Sequence, residues 1–172
     1  MKLLSVCFAL LISSAVFGQT SIFDMARSGD IEAAKALATE YPDTLSSVSD
    51  RGYTPMILAA YYDQLEFAQF LVDSKVRLKD EEKQPTALQA ASYKGFTEMV
   101  TLLIQYGAKP NTADPNGATA LSYAVQFQHV DIVRILVNAG ANPEIKDLQG
   151  FSALDYAKKF NNEEVLAALV RE

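Results

Sequence analysis

Apolar residues recur at helical spacing along most of the chain, in paired runs broken by polar turns. In "HVDIVRILVNAG" the residues Val130, Val133, Leu136 and Val137 fall on one helical face. Gly140 follows, where a left-handed residue ends a helix. The run before it, "TALSYAV", opens on Thr119, whose hydroxyl suits a helix N-cap, and carries small residues such as Ala124 that let neighbouring helices approach. Each such pair predicts a helix–turn–helix unit.

The unit repeats. "GYTPMILAAYYDQLEFAQFLVDS" from Gly52, "QPTALQAASYKGFTEMVTLLIQYG" from Gln84, "GATALSYAVQFQHVDIVRILVNAG" from Gly117 and "GFSALDYAKKFNNEEVLAALV" from Gly150 align without gaps. Their capping hydroxyls are Thr54, Thr86, Thr119 and Ser152, spaced 32, 33 and 33 residues apart. A partial copy, "SIFDMARSGDIEAAKALATE", precedes them, with Gly29 in the inter-helix slot shared by Asp63, Gly95, Gln128 and Asn161. Asp114-Pro115-Asn116-Gly117 and Asp147-Leu148-Gln149-Gly150 are turn sequences. Pro55 sits in a first helical turn, where its missing donor is harmless.

"TPMILAA", "TALQAAS", "TALSYAV" and "SALDYAK", with "LLIQYGAKPN" and "ILVNAGANPE", resemble the ankyrin repeat. The resemblance runs from about Thr20 to Glu172 and implies an all-α solenoid. Stacked helix–turn–helix units would carry hairpin-like loops on one side, with about four full repeats after an N-terminal partial one. The expected organisation is a signal peptide over 1–18 and a repeat domain over 19–172. Within that domain the partial repeat covers 20–48, full repeats 49–80, 81–113 and 114–146, and a capping repeat 147–172.

Departures from the family pattern matter. Ile57, Gln89, Ser122 and Asp155 stand where the family's T-P-L-H has histidine, so the usual Thr–His bond must be replaced or missing. Lys75 occupies the slot of Gly107 and Gly140, which marks the second copy as the loosest. Asp63, Gln128 and Asn161 replace glycine at the inter-helix turn, and glutamine tolerates left-handed geometry least well of the three. The last copy carries a polar end (Lys158, Lys159, Asn161, Asn162, Glu163, Glu164), as a terminal cap requires. The first copy lacks a leading loop, and the linker "EYPDTLSSVSD" after it carries Pro42.

Charge and the N-terminus narrow the setting. "MKLLSVCFALLISSAVFGQ" has a positive start at Lys2, a mostly apolar run from Leu3 to Ile12 and a milder stretch before Gln19, the pattern of a cleaved secretory signal. The run is short for an uncleaved anchor, which needs about 20 residues. Cleavage takes Cys7 away, so the mature chain has no thiol. It also removes Lys2, turning the formal charge from −6 to −7. An acidic chain without a basic cluster is a poor match for nucleic acid or an anionic membrane. These readings place the mature protein in a periplasm or outside the cell, as a monomer when alone.

Catalytic chemistry has little to work with. His129 is the single histidine and follows an inter-helix turn slot, where the ankyrin family commonly has a structural histidine. Asp131 lies two residues on and does not share its face. One histidine and no mature cysteine exclude a His/Cys zinc site. Asp80–Glu82 lack a calcium-loop pattern, and no glycine-rich phosphate loop appears. No metal, cofactor or enzymatic activity is expected.

Ankyrin stacks bind proteins through loop tips and the concave side of the first helices. Carried over by register, those positions are Asp50, Arg51, Tyr53, Glu82, Lys83, Pro85, Pro115, Asn116, Ala118, Leu148, Gln149 and Phe151 at the tips. On the helices they are Tyr61, Tyr62, Tyr93, Lys94, Gln126, Phe127, Lys159 and Phe160. Seven of these twenty are aromatic, against about two expected from a chain average of 10%. Exposed aromatics are typical interface anchors, although they can also pack against neighbouring loops and stiffen the stack. The residues expected to bind are Arg51, Tyr53, Tyr61, Tyr62, Lys83, Tyr93, Lys94, Asn116, Phe127, Gln149, Phe151 and Phe160. The chain resembles secreted bacterial ankyrin proteins. That resemblance implies a partner that is an exported enzyme or toxin, met as its inhibitor or immunity protein, or served as a scaffold or chaperone-like factor, for example in oxidative-stress defence.

Overall fold

The computed structural model describes residues 21–77 and 85–169. It is all-α, as the repeat pattern implies. Among the described residues there are ten α-helices, and the β features reduce to an isolated bridge between Lys146 and Ser152. The helices come in pairs: α1 (Ile22–Ser28) with α2 (Ile31–Glu40), α3 (Pro55–Tyr61) with α4 (Leu65–Asp73), and α5 (Ala87–Lys94) with α6 (Thr97–Gln105). Two further pairs follow, α7 (Ala120–Gln126) with α8 (Val130–Asn138) and α9 (Ala153–Phe160) with α10 (Glu163–Ala168). The odd helices stack on one another to form an inner layer, and the even helices form an outer one.

Small residues set the inner spacing. Ala59, Ala60, Ala91, Ala124 and Ala157 are fully buried, and their short side chains let successive inner helices approach closely. The outer helices fill the remaining space with Phe67, Leu71, Met99, Leu103, Ile132, Leu136 and Val165. Among the described residues there is no cysteine, so this packing carries the fold.

Each capping hydroxyl does what its position predicts. The backbone N–H of Ile57, Gln89, Ser122 and Asp155 donates to Thr54, Thr86, Thr119 and Ser152 at 3.2, 3.2, 3.2 and 3.1 Å. Ser21 caps α1 in the same way, accepting from Asp24 at 3.3 Å. The first unit is therefore a complete helix pair. Pro42 opens a short 3-10 turn, Pro42–Ser46, which buries Leu45 and bridges to the next unit.

The missing family histidines are replaced locally. Gln89, Ser122 and Asp155 each accept the backbone N–H of the capping residue, which closes a reciprocal capping box. Ile57 has no such oxygen and contributes apolar burial instead.

Lys75 adopts φ +57°, and Asp63, Gln128 and Asn161 adopt +55°, +59° and +49°. Lys75 is exposed, so its side chain offers little packing in return. Lys75→Gly should raise stability by up to about 1 kcal/mol, read as a higher urea midpoint at unchanged m-value. An unchanged or lower midpoint would show that the lysine is not strained there.

Candidate protein-binding surface

The turn residues stitch each unit to the one before. The Gln64 side-chain amide donates to the Arg27 and Tyr62 carbonyl oxygens at 3.1 and 3.2 Å. His129 Nε2 lies 3.4 Å from the Tyr93 carbonyl oxygen, and its ring sits over Gly95, where an added Cβ would fall 2.7 Å from Cε1. Asn162 Nδ2 donates to Gln128 Oε1 at 3.2 Å. His129 is thus part of the inter-unit packing, half-buried and stacked 6.3 Å from Phe127. Among the described residues no three His, Cys, Asp or Glu side chains gather to hold a metal ion.

The opposite edge of the units carries the loops. There the structure keeps Arg51, Asn116, Gln149 and Phe151 exposed. Tyr53 is half-buried against the core, so it presents only part of its ring. Ala118 is a correction to the expected tips. It is buried, because its N–H donates to Asp114 Oδ1 at 2.9 Å and its carbonyl accepts from Gln89 Nε2 at 2.9 Å. Glu82 and Lys83 lie outside the described residues.

On the inner helices Tyr61, Tyr62, Tyr93, Lys94, Phe127, Lys159 and Phe160 are exposed, and Gln126 is half-buried. The aromatics form three groups rather than one strip. Tyr61 meets Tyr62 edge-on at 5.2 Å, with Lys94 Nζ 5.0 Å above the Tyr61 ring. Tyr93 contacts Tyr123 at 5.9 Å and Phe127 at 4.7 Å. Tyr156 lies between Phe151 and Phe160 at 5.5 and 6.2 Å, with Lys159 Nζ 5.3 Å over Phe151. Apart from the buried Tyr156, each ring is therefore partly packed and partly exposed.

Between the first groups runs a groove of about 480 Å³. It brings together the expected Arg51, Tyr53, Tyr61, Tyr62 and Tyr93, and adds Arg27, Leu58, Ala90 and Tyr123. Asn116, Phe127, Gln149, Phe151 and Phe160 do not line it.

Comparison with known families gives two matches, ankyrin repeats (3 copies) over residues 88–172 and a single ankyrin repeat over residues 51–81. The chain is an ankyrin-repeat protein. It is similar to ankyrin repeat and SAM domain-containing protein 6 of Rattus norvegicus, 34% identical over 101 residues, which is 58% of this chain and 11% of that protein. The Mus musculus protein of the same name is 33% identical over the same shares. Palmitoyltransferase akr1 of Neurospora crassa is 35% identical over 104 residues, 58% of this chain and 14% of that protein. The chain therefore matches only a small part of each of these longer relatives. As an ankyrin module it is non-catalytic, and protein binding is what its repeat surface offers. Among the described residues no helix is long and apolar enough to cross a membrane.

Two of the ankyrin loops are locked by a device that repeat matching alone does not reveal. Asp114 Oδ1 accepts the N–H groups of Asn116 and Ala118, and Oδ2 accepts the Tyr123 hydroxyl at 2.6 Å. Asp147 does the same with Gln149, Phe151 and the Tyr156 hydroxyl, again at 2.6 Å. Partial burial opposes the Asp147 charge, but these hydrogen bonds outweigh it and hold the carboxyl below its usual range. The bond to Asp147, then burial, pushes the Tyr156 phenol up to about 12. Burial, then the Asp114 bond, raises the Tyr123 phenol further.

A phenol whose folded-state pKa exceeds its unfolded value of about 10 stabilises the fold fully below that pH. The contribution fades as pH rises toward 12. Tyr156→Phe should therefore lower stability by about 1 kcal/mol at pH 8, with the gap from the native protein narrowing between pH 10 and 12. Denaturant midpoints across that range test this. A gap that stays constant would show that the Asp147 bond contributes nothing.

Proposed function

We propose that this ankyrin module binds one exported protein, in a periplasm or outside the cell, as the inhibitor or immunity partner of an exported enzyme or toxin. The observation that carries the binding role is the set of exposed aromatics on the inner helices beside a groove of about 480 Å³. Tyrosine and phenylalanine held by their neighbours are low-entropy anchors for a partner. The secretory pattern of the N-terminal run supports the exported setting. The spread of aromatics over three groups favours a second reading, a scaffold or chaperone-like factor that takes several clients.

The test is affinity capture from the native host with the mature chain tagged at its C-terminus, followed by measurement of Kd for the dominant partner. Tyr61→Ala combined with Phe127→Ala should weaken binding about 30-fold or more while the helical circular dichroism is kept. A single exported enzyme that is inhibited on binding supports the inhibitor reading. Several weaker partners support the scaffold. Affinity unaffected by the double substitution removes the aromatic surface from the interface.

A further inference from the structure

Charge is unevenly placed around the groove. The chain carries 21 acidic and 15 basic side chains, so an average surface patch is negative. The groove differs, with Arg27 and Arg51 and no carboxylate among its described lining residues. Lys94 stands beside it over Tyr61. Arg51 and Lys94 have no carboxylate partner among the described residues, and Arg27 is held through one guanidinium nitrogen by Asp24 at 2.6 Å. Arg51 precedes α3 at the loop edge, whereas Arg27 and Lys94 end α1 and α5 at the turn edge. The cations thus bracket the length of α3.

Tyrosine rings fill the space between. Tyr61 and Tyr62 form one wall and Tyr93 with Tyr123 the other. The Tyr123 hydroxyl is engaged by Asp114, so what this residue adds to the groove lining is its ring.

We infer that the groove takes an extended acidic peptide segment of the protein partner, with two carboxylates flanking a large apolar side chain seated among the tyrosines. This rests on the protein-binding reading above. The seven residues of α3 cover about 10 Å, and an extended chain crosses that distance in about three residues, which sets the spacing of the two acids. A polyphosphate chain is a poor alternative occupant. Three cations on an acidic protein do not offset its repulsion of a nucleic-acid backbone.

The test is selection of a phage-displayed random peptide library on the folded full chain. The best peptide is then synthesised with a fluorescein label. Selected peptides should carry two acidic residues about three positions apart around an aromatic or aliphatic one. Affinity should fall at least tenfold for Arg51→Glu with Lys94→Glu, both surface changes that leave the melting curve in place. It should fall similarly when the peptide's acids become Asn or Gln. Peptides without acids, equal affinity for the charge-reversed protein, or no enrichment at all would overturn the assignment. If that happens while Tyr61→Ala with Phe127→Ala still releases the captured partner, the binding role stands and the groove does not take an acidic segment. If the aromatic variant keeps full affinity, the binding surface itself is wrong.

Discussion

Gly117→Ala should destabilise the protein by about 3 kcal/mol, a large share of a single domain's stability. Gly117 has φ +77°, and an added Cβ would lie 2.9 Å from Asp147 Cα and 3.0 Å from Leu148 N. Those are backbone atoms of the next loop and cannot swing aside. Left-handed geometry costs about 1–2 kcal/mol for a residue with a Cβ. Pushing the loops apart also opens the bond in which Leu148 N–H donates to the Asn116 carbonyl at 2.8 Å, worth about 1 kcal/mol more. Gly150→Ala is the matched control. Its φ is +84° but nothing lies within 4 Å of the added Cβ, so it should show the conformational share alone, about 1 kcal/mol. Equal losses in urea denaturation for the two variants would mean that loop-to-loop contact contributes nothing.

The second large effect is expected at Gln89, which is 1% exposed. Its Oε1 accepts the Thr86 N–H at 2.6 Å, and its Nε2 donates to the Thr112 and Ala118 carbonyls, both at 2.9 Å. One amide therefore closes its own helix cap and ties the unit to the following loop. Gln89→Ala leaves the Thr86 N–H and the Thr112 carbonyl without their partner, removes one of the two donors to the Ala118 carbonyl, which keeps the Asp114 N–H at 2.9 Å, and opens a void, so it should lose about 3 kcal/mol. A loss below about 0.5 kcal/mol, within the noise of an ordinary surface change, would show that other groups or water take over these bonds.

Much of this architecture is legible in the sequence, because its signals recur at one offset. A hydroxyl opens each inner helix, alanine follows at the packed positions, and glycine or a tolerant substitute marks each turn. That fixed the helix pairs, the caps and the structural place of His129. The concave surface was only partly legible. Arg27 gives no signal in the sequence because it belongs to the first copy, which lacks the leading loop that sets the register of tip positions. The register position of Tyr123 reads as core, and its hydroxyl finds Asp114 only once the loop has turned back. A usable signal did exist, since Asp114 with Tyr123 and Asp147 with Tyr156 share a nine-residue spacing in successive copies. The offset of Ala118 alone puts it on the tip, whereas backbone bonds with no sequence signal of their own draw it inward.

The joint between the α5–α6 and α7–α8 units is fastened along both margins. Gln89 reaches forward to the loop margin, and His129 reaches back to Tyr93 at the turn margin. One line of contact would leave a hinge, whereas two on opposite sides resist rotation of either unit about the other. Tyr93 and Tyr123 stand on the two units so joined, and their rings hold a set separation before anything arrives. On the proposed binding surface a partner would meet a template whose shape has been fixed by folding, with little ordering entropy left to subtract from its affinity.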